Sequence, residues 1–245
     1  MKAIVLAAGK GKRLLCGDIP KVLKQANGKA LIDYALAAIG FIQPCDTVVV
    51  AGYQKEKVME HLGSKFQFAI QTEQKGTGHA VQMAAPYFEG YDGDVIITYG
   101  DMPLFQRNTF EQLIEKHKKS GADCTILTAV TNEPMAYGRI IRGMDERLRD
   151  IVEEKDCTDL QKKIDELNVG VYVFRSKVLF EYISKLDNNN AQGEFYLTDV
   201  PKILINNQKA VESYTIYDSD EIFGVNTPED LKRCEDILGK RDLHD

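Results

Sequence analysis

Short apolar runs rich in β-branched residues recur along the first half of the chain, at residues 3–6, 47–51, 66–70, 95–98 and 125–130. They are apolar throughout rather than alternating, which is the pattern of strands covered on both faces. Between them the period lengthens. Ile32, Ala35, Leu36 and Ile39 follow the i, i+3, i+4, i+7 spacing of an amphipathic helix, as do Val81, Ala84, Ala85 and Phe88, and Phe110, Leu113, Ile114 and His117. Asn108 with Glu111 three residues on predicts an N-cap with an acidic partner for the last of these. Strand and helix therefore alternate to about residue 130, predicting an α/β fold with a doubly wound, mostly parallel sheet.

After Val130 the texture changes. Residues 137–142, 148–154 and 169–175 read as strands joined by charged loops. Helices are expected at 176–185 and 198–206, and a strand at 212–217. Thr227-Pro228-Glu229-Asp230 is a helix start, with threonine as cap and proline at the first position. No linker, repeat or low-complexity segment divides the chain, so 1–245 is expected to form one domain. Its second half should extend the same sheet and wall a cleft.

Composition narrows the function. The formal net charge is -6 over 245 residues, which argues against a general nucleic-acid or anionic-membrane surface. No stretch reaches the roughly 20 apolar residues of a membrane span, and the opening MKAIVLAAGK is too short for a signal segment. The five cysteines (Cys16, Cys45, Cys124, Cys157, Cys234) contain no C-x-x-C pair and are read as reduced thiols of a cytoplasmic protein. The four histidines (His61, His79, His117, His244) lack metal-ligand spacing.

Against that acidic background LAAGKGKRL, residues 6–14, stands out as locally cationic. It lacks the P-loop spacing, and Leu14 stands where a dinucleotide fingerprint needs its third glycine. A plain strand-to-helix turn with exposed charge is one reading. A phosphate nest is the other. Gly9 and Gly11 would let backbone N–H groups approach a triphosphate, Arg13 offers a fork of donors, and Pro20-Lys21 adds a compact second cation. Asp101 ends the apolar run VIITYGD, where a carboxylate can hold a hard cation such as Mg2+. Ligands of doubly wound sheets bind beyond such strand ends, and residues 6–14, 52–53 and 99–101 all fall there.

LAAGKGKR followed by P-K resembles L-A-A-G-x-G-[TS]-R with P-K, the signature of the sugar-phosphate nucleotidyltransferases. The chain is most similar to the uridylyltransferase domain of the bifunctional bacterial enzyme that makes UDP-N-acetylglucosamine. QTEQKGTGHA (71–80), YGDMPL (99–104), YGRI (137–140), IVEEKD (151–156), LNVG (167–170), NNNAQGEFYLTD (188–199) and GVN (224–226) carry the likeness along nearly the whole chain.

The resemblance implies a Rossmann-like nucleotide-diphospho-sugar transferase fold. Residues 1–130 would be a nucleotide-binding half, 131–226 a sugar-binding half and 227–245 a C-terminal helix. It implies UTP and N-acetylglucosamine 1-phosphate as substrates and Mg2+ as cofactor. Arg13 would neutralise the triphosphate and Lys21 would sit near the reacting phosphates. Asp101 and Asn226 would hold the metal. Leu6, Ala7, Ala8, Gly9 and Gly11 would border the nucleotide. Gln71, Gln74, Gly76 and Thr77 would read uracil, with Gly76 letting the backbone approach the flat base, and Tyr99 and Gly100 would border the ribose. Gly138, Glu153, Asn168 and Thr198 match the sugar-binding positions. No general base is needed, because the attacking phosphate is already ionised, so His79 is read as structural.

The chain departs from the family pattern at Lys12, at a one-residue-longer interval from Arg13 to Lys21, and at Val169. No hexapeptide repeat is present, so the acetyltransferase activity of the bifunctional relatives is not expected of these residues. Another sugar 1-phosphate or base, or a nucleotide-sugar sensor without turnover, stays open. So does the oligomeric state.

Overall fold

The computed structural model describes residues 1–14, 17 and 19–242. Leu15, Cys16, Asp18, His244 and the Lys12 side chain, each part of an expectation above, lie outside the described residues.

The chain runs β1 (Lys2–Ala7), a short ribbon of β2 (Gln25–Ala26) and β3 (Lys29–Ala30), α1 (Leu31–Ala38), β4 (Thr47–Ala51), α2 (Lys55–Leu62), β5 (Gln67–Ile70) and α3 (Thr77–Ala84). It continues through β6 (Asp94–Tyr99), α4 (Arg107–Ser120), β7 (Cys124–Val130), β8 (Gly138–Arg142), β9 (Leu148–Val152) and β10 (Glu166–Arg175). It ends with α5 (Ser176–Ile183), α6 (Asp199–Asn206), β11 (Val211–Ile216) and α7 (Pro228–Asp242). Among the described residues nine strands form one sheet, in the order β11-β7-β10-β6-β1-β4-β5, with β8 and β9 branching from β10.

The predicted runs became strands because both faces of the sheet are covered. Along β1, Ala3, Val5 and Ala7 enter one core with Ile32 of α1, Ile39 just after it, and Phe110 and Leu113 of α4. Ile4, Leu6 and the following Ala8 enter the other, with Val81 of α3, Leu179 of α5 and Leu204 of α6. Successive residues point to opposite faces, so a strand between two helical layers buries both of its faces, and its rare polar residues, such as Thr98, Thr125 and Thr128, are buried too. A third, smaller cluster joins Leu14 to Leu104, Val225 and the inner face of α7.

The sheet is mostly parallel, as expected, but β10 runs antiparallel to both β6 and β7. Its register slips between Asn168 and Tyr172, so Asn168 pairs with Gly138 of β8 while Tyr172 pairs with Ile97 of β6. Such a bulge bends a strand and re-aims its side chains. Gly170 sits inside it at φ +81°, and a β-carbon there would come within 2.7 Å of the Tyr99 ring.

Two helix boundaries differ from the sequence reading. The α4 helix begins at Arg107, so Asn108 lies inside it. The buried Glu221 carboxylate caps this end from far along the chain, accepting from the Gln106 N–H (3.0 Å) and the Thr109 hydroxyl (2.6 Å). Glu111 instead accepts from Arg107 at 2.7 Å. The α3 helix stops at Ala84, and Ala85–Phe88 continues as a 3-10 turn. Pro86 has no N–H to extend the helix and clashes with the preceding turn. At α7 the expected cap is present, with the Asp230 N–H donating to Thr227 Oγ1 at 3.1 Å. No helix among the described residues is long and apolar enough to cross a membrane.

Candidate active site

Ala8, Gly52, Gln71 and Gly100 each follow a parallel strand and line up along one edge of the sheet. Hydrogen bonds lace this edge together: Tyr53 N–H to Ala8 O (3.2 Å), Gln71 N–H to Ala51 O (2.8 Å) and Gly100 N–H to Leu6 O (3.0 Å). Gly52 is a residue the sequence reading left without a role. A β-carbon there would meet Ala8 and the Gln71 carbonyl at 2.8–2.9 Å. Leu6, Ala7 and Ala8 are buried, while Gly9 and Arg13 are exposed. Gly11 takes φ +60° and its carbonyl accepts from the Leu14 N–H at 3.1 Å. Leu14 is seated in the third apolar cluster, so the turn is anchored and Arg13 is left facing outward.

Arg13, Lys21, Asp101 and Asn226 meet at one point. Lys21 Nζ donates to Asp101 Oδ2 and, at 2.9 Å, to Asn226 Oδ1. Arg13 Nη2 donates to the same Asn226 oxygen at 2.9 Å. Asn226 is oriented by its surroundings. Its amide nitrogen donates to Gly224 O (3.2 Å), which turns the oxygen toward the cations. Its backbone N–H and that of Thr227 both donate to Asp230 Oδ2 at 2.8 Å, and Val225 N–H donates to Asp101 O at 3.2 Å. Asp230 was missed as a site residue, although Thr-Pro-Glu-Asp already marked a helix start.

Beyond this point opens a cleft of about 540 Å³. Arg13, Thr77, Tyr99, Asp101, Gly138, Glu153, Asn168, Thr198 and Asn226 all line it. Its polar side chains are Glu153, Asn168, Gln192, Glu194 and Thr198, and its apolar ones are Met102, Pro134, Met135, Ala136, Ile222 and Phe223, with Met102, Met135 and Ile222 packed in one cluster. Neither Gly170 beneath Tyr99 nor this apolar lining was foreseen, since no single residue type announced them.

Burial pushes the Glu153 carboxyl above its usual range; the Thr198 hydroxyl opposes the rise, and Asp199 and Asp156 add to it. Burial, with Glu153 and Asp101 nearby, likewise raises the Tyr99 phenol, and Tyr137 is raised by burial and Asp101. Both phenols are therefore neutral hydrogen-bond donors near pH 7. The Thr198 hydroxyl is buried beside the Glu153 carboxyl. The buried Asn168 amide is partly engaged, donating to the Tyr172 hydroxyl at 2.8 Å and accepting from the Gly170 N–H at 3.3 Å.

The base-reading stretch is arranged differently from the expectation. Gln71 is buried, and its amide nitrogen donates to Gly76 O (3.0 Å) and lies 3.1 Å from His79 Nδ1. Gln74 is exposed beside the Lys75–Glu73 pair. Residues 75–78 are zipped to the segment before α6: Phe195 N–H to Lys75 O and Gly78 N–H to Phe195 O (both 2.8 Å), and Leu197 N–H to Thr77 Oγ1 (3.1 Å). Gly76 was expected to admit a base. At φ +107° it instead admits the Phe195 backbone, whose oxygen a β-carbon would approach to 2.5 Å. Gly100 was expected beside a ribose, but its free side faces Val22 and Ile32 in the core. Leu6, Ala7, Ala8, Gly9, Gly11, Lys21, Gln71, Gln74, Gly76 and Gly100 do not line the cleft itself.

Among the described residues no three His, Cys, Asp or Glu side chains gather as a metal cluster. Asp101 and Asn226 are a convergent pair of oxygen donors, already trained on one cationic atom. A hard divalent ion that keeps waters and takes substrate phosphates as further ligands needs no more than one or two protein groups. The donor set fits such an ion.

Residues 2–220 match the protein family described as Nucleotidyl transferase. Over 239 residues the chain is 41% identical to the "Bifunctional protein GlmU" of Streptococcus thermophilus (strain CNRZ 1066), covering 98% of this chain and 52% of that protein. The same identity and coverage hold for the protein of that name from Streptococcus uberis (strain ATCC BAA-854 / 0140J). The chain thus spans about half the length of these curated relatives. A solved structure of UDP-glucose pyrophosphorylase complexed with UDP-glucose superposes with a TM-score of 0.77 at 18% identity, covering 98% of each chain. That likeness is one of fold, and it agrees with the doubly wound architecture.

Proposed function

This chain belongs to the nucleotidyl transferase family, and on that premise we propose that it transfers a uridylyl group from UTP to N-acetylglucosamine 1-phosphate. The products are UDP-N-acetylglucosamine and pyrophosphate. The observation that carries this reading is the convergence of Arg13, Lys21, Asp101 and Asn226 at the mouth of a cleft lined in part by polar side chains. The 41% identity to bifunctional GlmU proteins supports the choice of substrates.

A phosphate oxygen of the sugar phosphate attacks the α-phosphorus of UTP. The new P–O bond forms as the α–β bridging bond breaks, and pyrophosphate leaves with the electron pair. Two anions must meet, so alignment and charge neutralisation supply most of the acceleration. Arg13, exposed on its anchored turn, takes the triphosphate and the leaving pyrophosphate. Lys21 brings an ammonium group to the reacting phosphates from the side of Asp101. Asp101 and Asn226 would hold Mg2+, which would supply Lewis-acid neutralisation of the phosphates. Glu153 and the buried Thr198 hydroxyl beside it take sugar hydroxyls, since polar groups buried in a cleft need hydrogen-bond partners. The remaining N–H of Asn168 is available to the acetamido group. His79 Nδ1 faces the Gln71 amide, and an already ionised sugar phosphate needs no general base. Cys45, Cys124, Cys157 and Cys234 are free thiols, in keeping with a cytoplasmic setting.

Pyrophosphate release on mixing the protein with UTP, Mg2+ and N-acetylglucosamine 1-phosphate, with glucose 1-phosphate in parallel, tests this reading. Release dependent on the acetylated sugar is expected. Release with glucose 1-phosphate alone would keep the chemistry and move the sugar. No release from either, with UTP still bound, would favour a nucleotide-sugar sensor.

A further inference from the structure

The apolar lining of the cleft is made of segments that belong to no regular element. Pro134, Met135 and Ala136 lie between β7 and β8, and Phe223 lies between β11 and α7. Arg233, on the second turn of α7, reaches both. Its guanidinium donates bidentately to Glu133, Nη1 to Oε2 at 2.9 Å and Nη2 to Oε1 at 3.2 Å. It also lies over the Phe223 ring at 4.3 Å and donates to Asp220 at 3.3 Å. The Ser219 hydroxyl donates to Glu133 Oε1 at 3.0 Å, so the glutamate is gripped from two sides. A planar fork of this kind fixes geometry as well as charge.

Arg233 stands three residues after Asp230, on the same face of α7. One turn of helix therefore holds the Asn226 backbone through Asp230 and the apolar lining through Arg233. Neither Arg233 nor Glu133 lines the cleft, so neither can touch a substrate there. We propose, resting on the function proposed above, that Arg233 and Glu133 are a positioning pair that sets the apolar lining from outside. Through that lining they set the preference for an acylated sugar phosphate.

The chemistry follows from the two kinds of lining. N-acetylglucosamine 1-phosphate differs from glucose 1-phosphate by its acetamido group, whose methyl is its one fully apolar substituent. The polar side chains serve the hydroxyls the two sugars share, and Asn168 serves the amide of the acetamido group. The apolar lining favours only the sugar that brings a methyl, and burying one such group is worth roughly a fourfold preference.

The test compares Arg233→Ala, Glu133→Ala, the double variant and Arg233→Lys with the wild type. The kcat/KM ratio of N-acetylglucosamine 1-phosphate to glucose 1-phosphate should fall about fourfold in either single variant and no further in the double. Arg233→Lys should recover part of it. KM for UTP should not change. The melting temperature should move little, because both side chains of the pair are 40% exposed and exposed ion pairs add little stability. Amide hydrogen exchange should quicken at residues 133–137 and 222–224 and stay as it was at 71–77. An unchanged ratio, multiplying losses in the double variant, a parallel rise in KM for UTP, or unchanged exchange would each overturn the inference. Failure of the proposed function shows separately, as no pyrophosphate from the wild type, and leaves the exchange arm to judge the pair.

Discussion

The cation point and the base loop were both marked by glycines and polar residues, yet they are built in opposite ways. Arg13, Lys21, Asp101 and Asn226 meet through charged and amide side-chain tips. Residues 75–78 are held by backbone hydrogen bonds to Phe195 and Leu197, with glycines that clear the way. In the first region the side chain carries the role, so its identity announces the chemistry. In the second the absence of a side chain carries it, and a glycine does not say whether a ligand or the protein's own backbone fills the space.

Substitutions should separate the two regions. Lys21→Ala should lower turnover by roughly a hundredfold or more, as when an electrostatic donor is lost from a reacting centre, while the melting temperature changes far less. Pyrophosphate release at saturating substrates checks this, and a wild-type rate would break the comparison. Gly76→Ala should do the reverse. Its positive φ and the Phe195 oxygen in the way should cost at least about 2 kcal/mol of stability, read from urea denaturation, with activity lost in step with folding. A variant of full stability with a raised KM for UTP alone would return Gly76 to the base.

Two smaller effects sharpen the picture. Because burial raises Glu153 above the ordinary carboxylate value of 4.5, KM for the sugar phosphate should climb as pH falls through that raised pKa. Glu153→Gln should remove the limb and raise KM several-fold at neutral pH. Glu221 is raised as well, by burial, with Thr109 and Gln106 opposing. A carboxyl whose folded pKa lies above its unfolded one contributes stability that is fully present below the unfolded pKa. That contribution is lost as pH rises through the folded pKa. Glu221→Gln should therefore flatten the decline in melting temperature as pH rises above the ordinary carboxylate range.

The strands of the first half were legible because a run covered on both faces leaves few polar positions to confuse the period. Asp101 was legible because a carboxylate closing an apolar strand has few structural uses. The direction of β10 was not, since LNVGVYVF reads as buried whichever way it runs. Asn108 failed as a cap because Glu221, remote in sequence, already caps that helix. Arg233 and Glu133 looked like ordinary surface charge, and only the folded chain sets them on either side of one loop.

The seat of Leu14 has a consequence for how the protein is made. Its turn carries Arg13, which closes on Asn226 across 213 residues of chain, and its apolar partners include Val225 and residues of α7. Contacts of such long sequence separation form late in folding. The turn is translated 213 residues ahead of Asn226, so a nascent chain that has not yet reached α7 lacks the full seat of Leu14 and the Arg13–Asn226 bond.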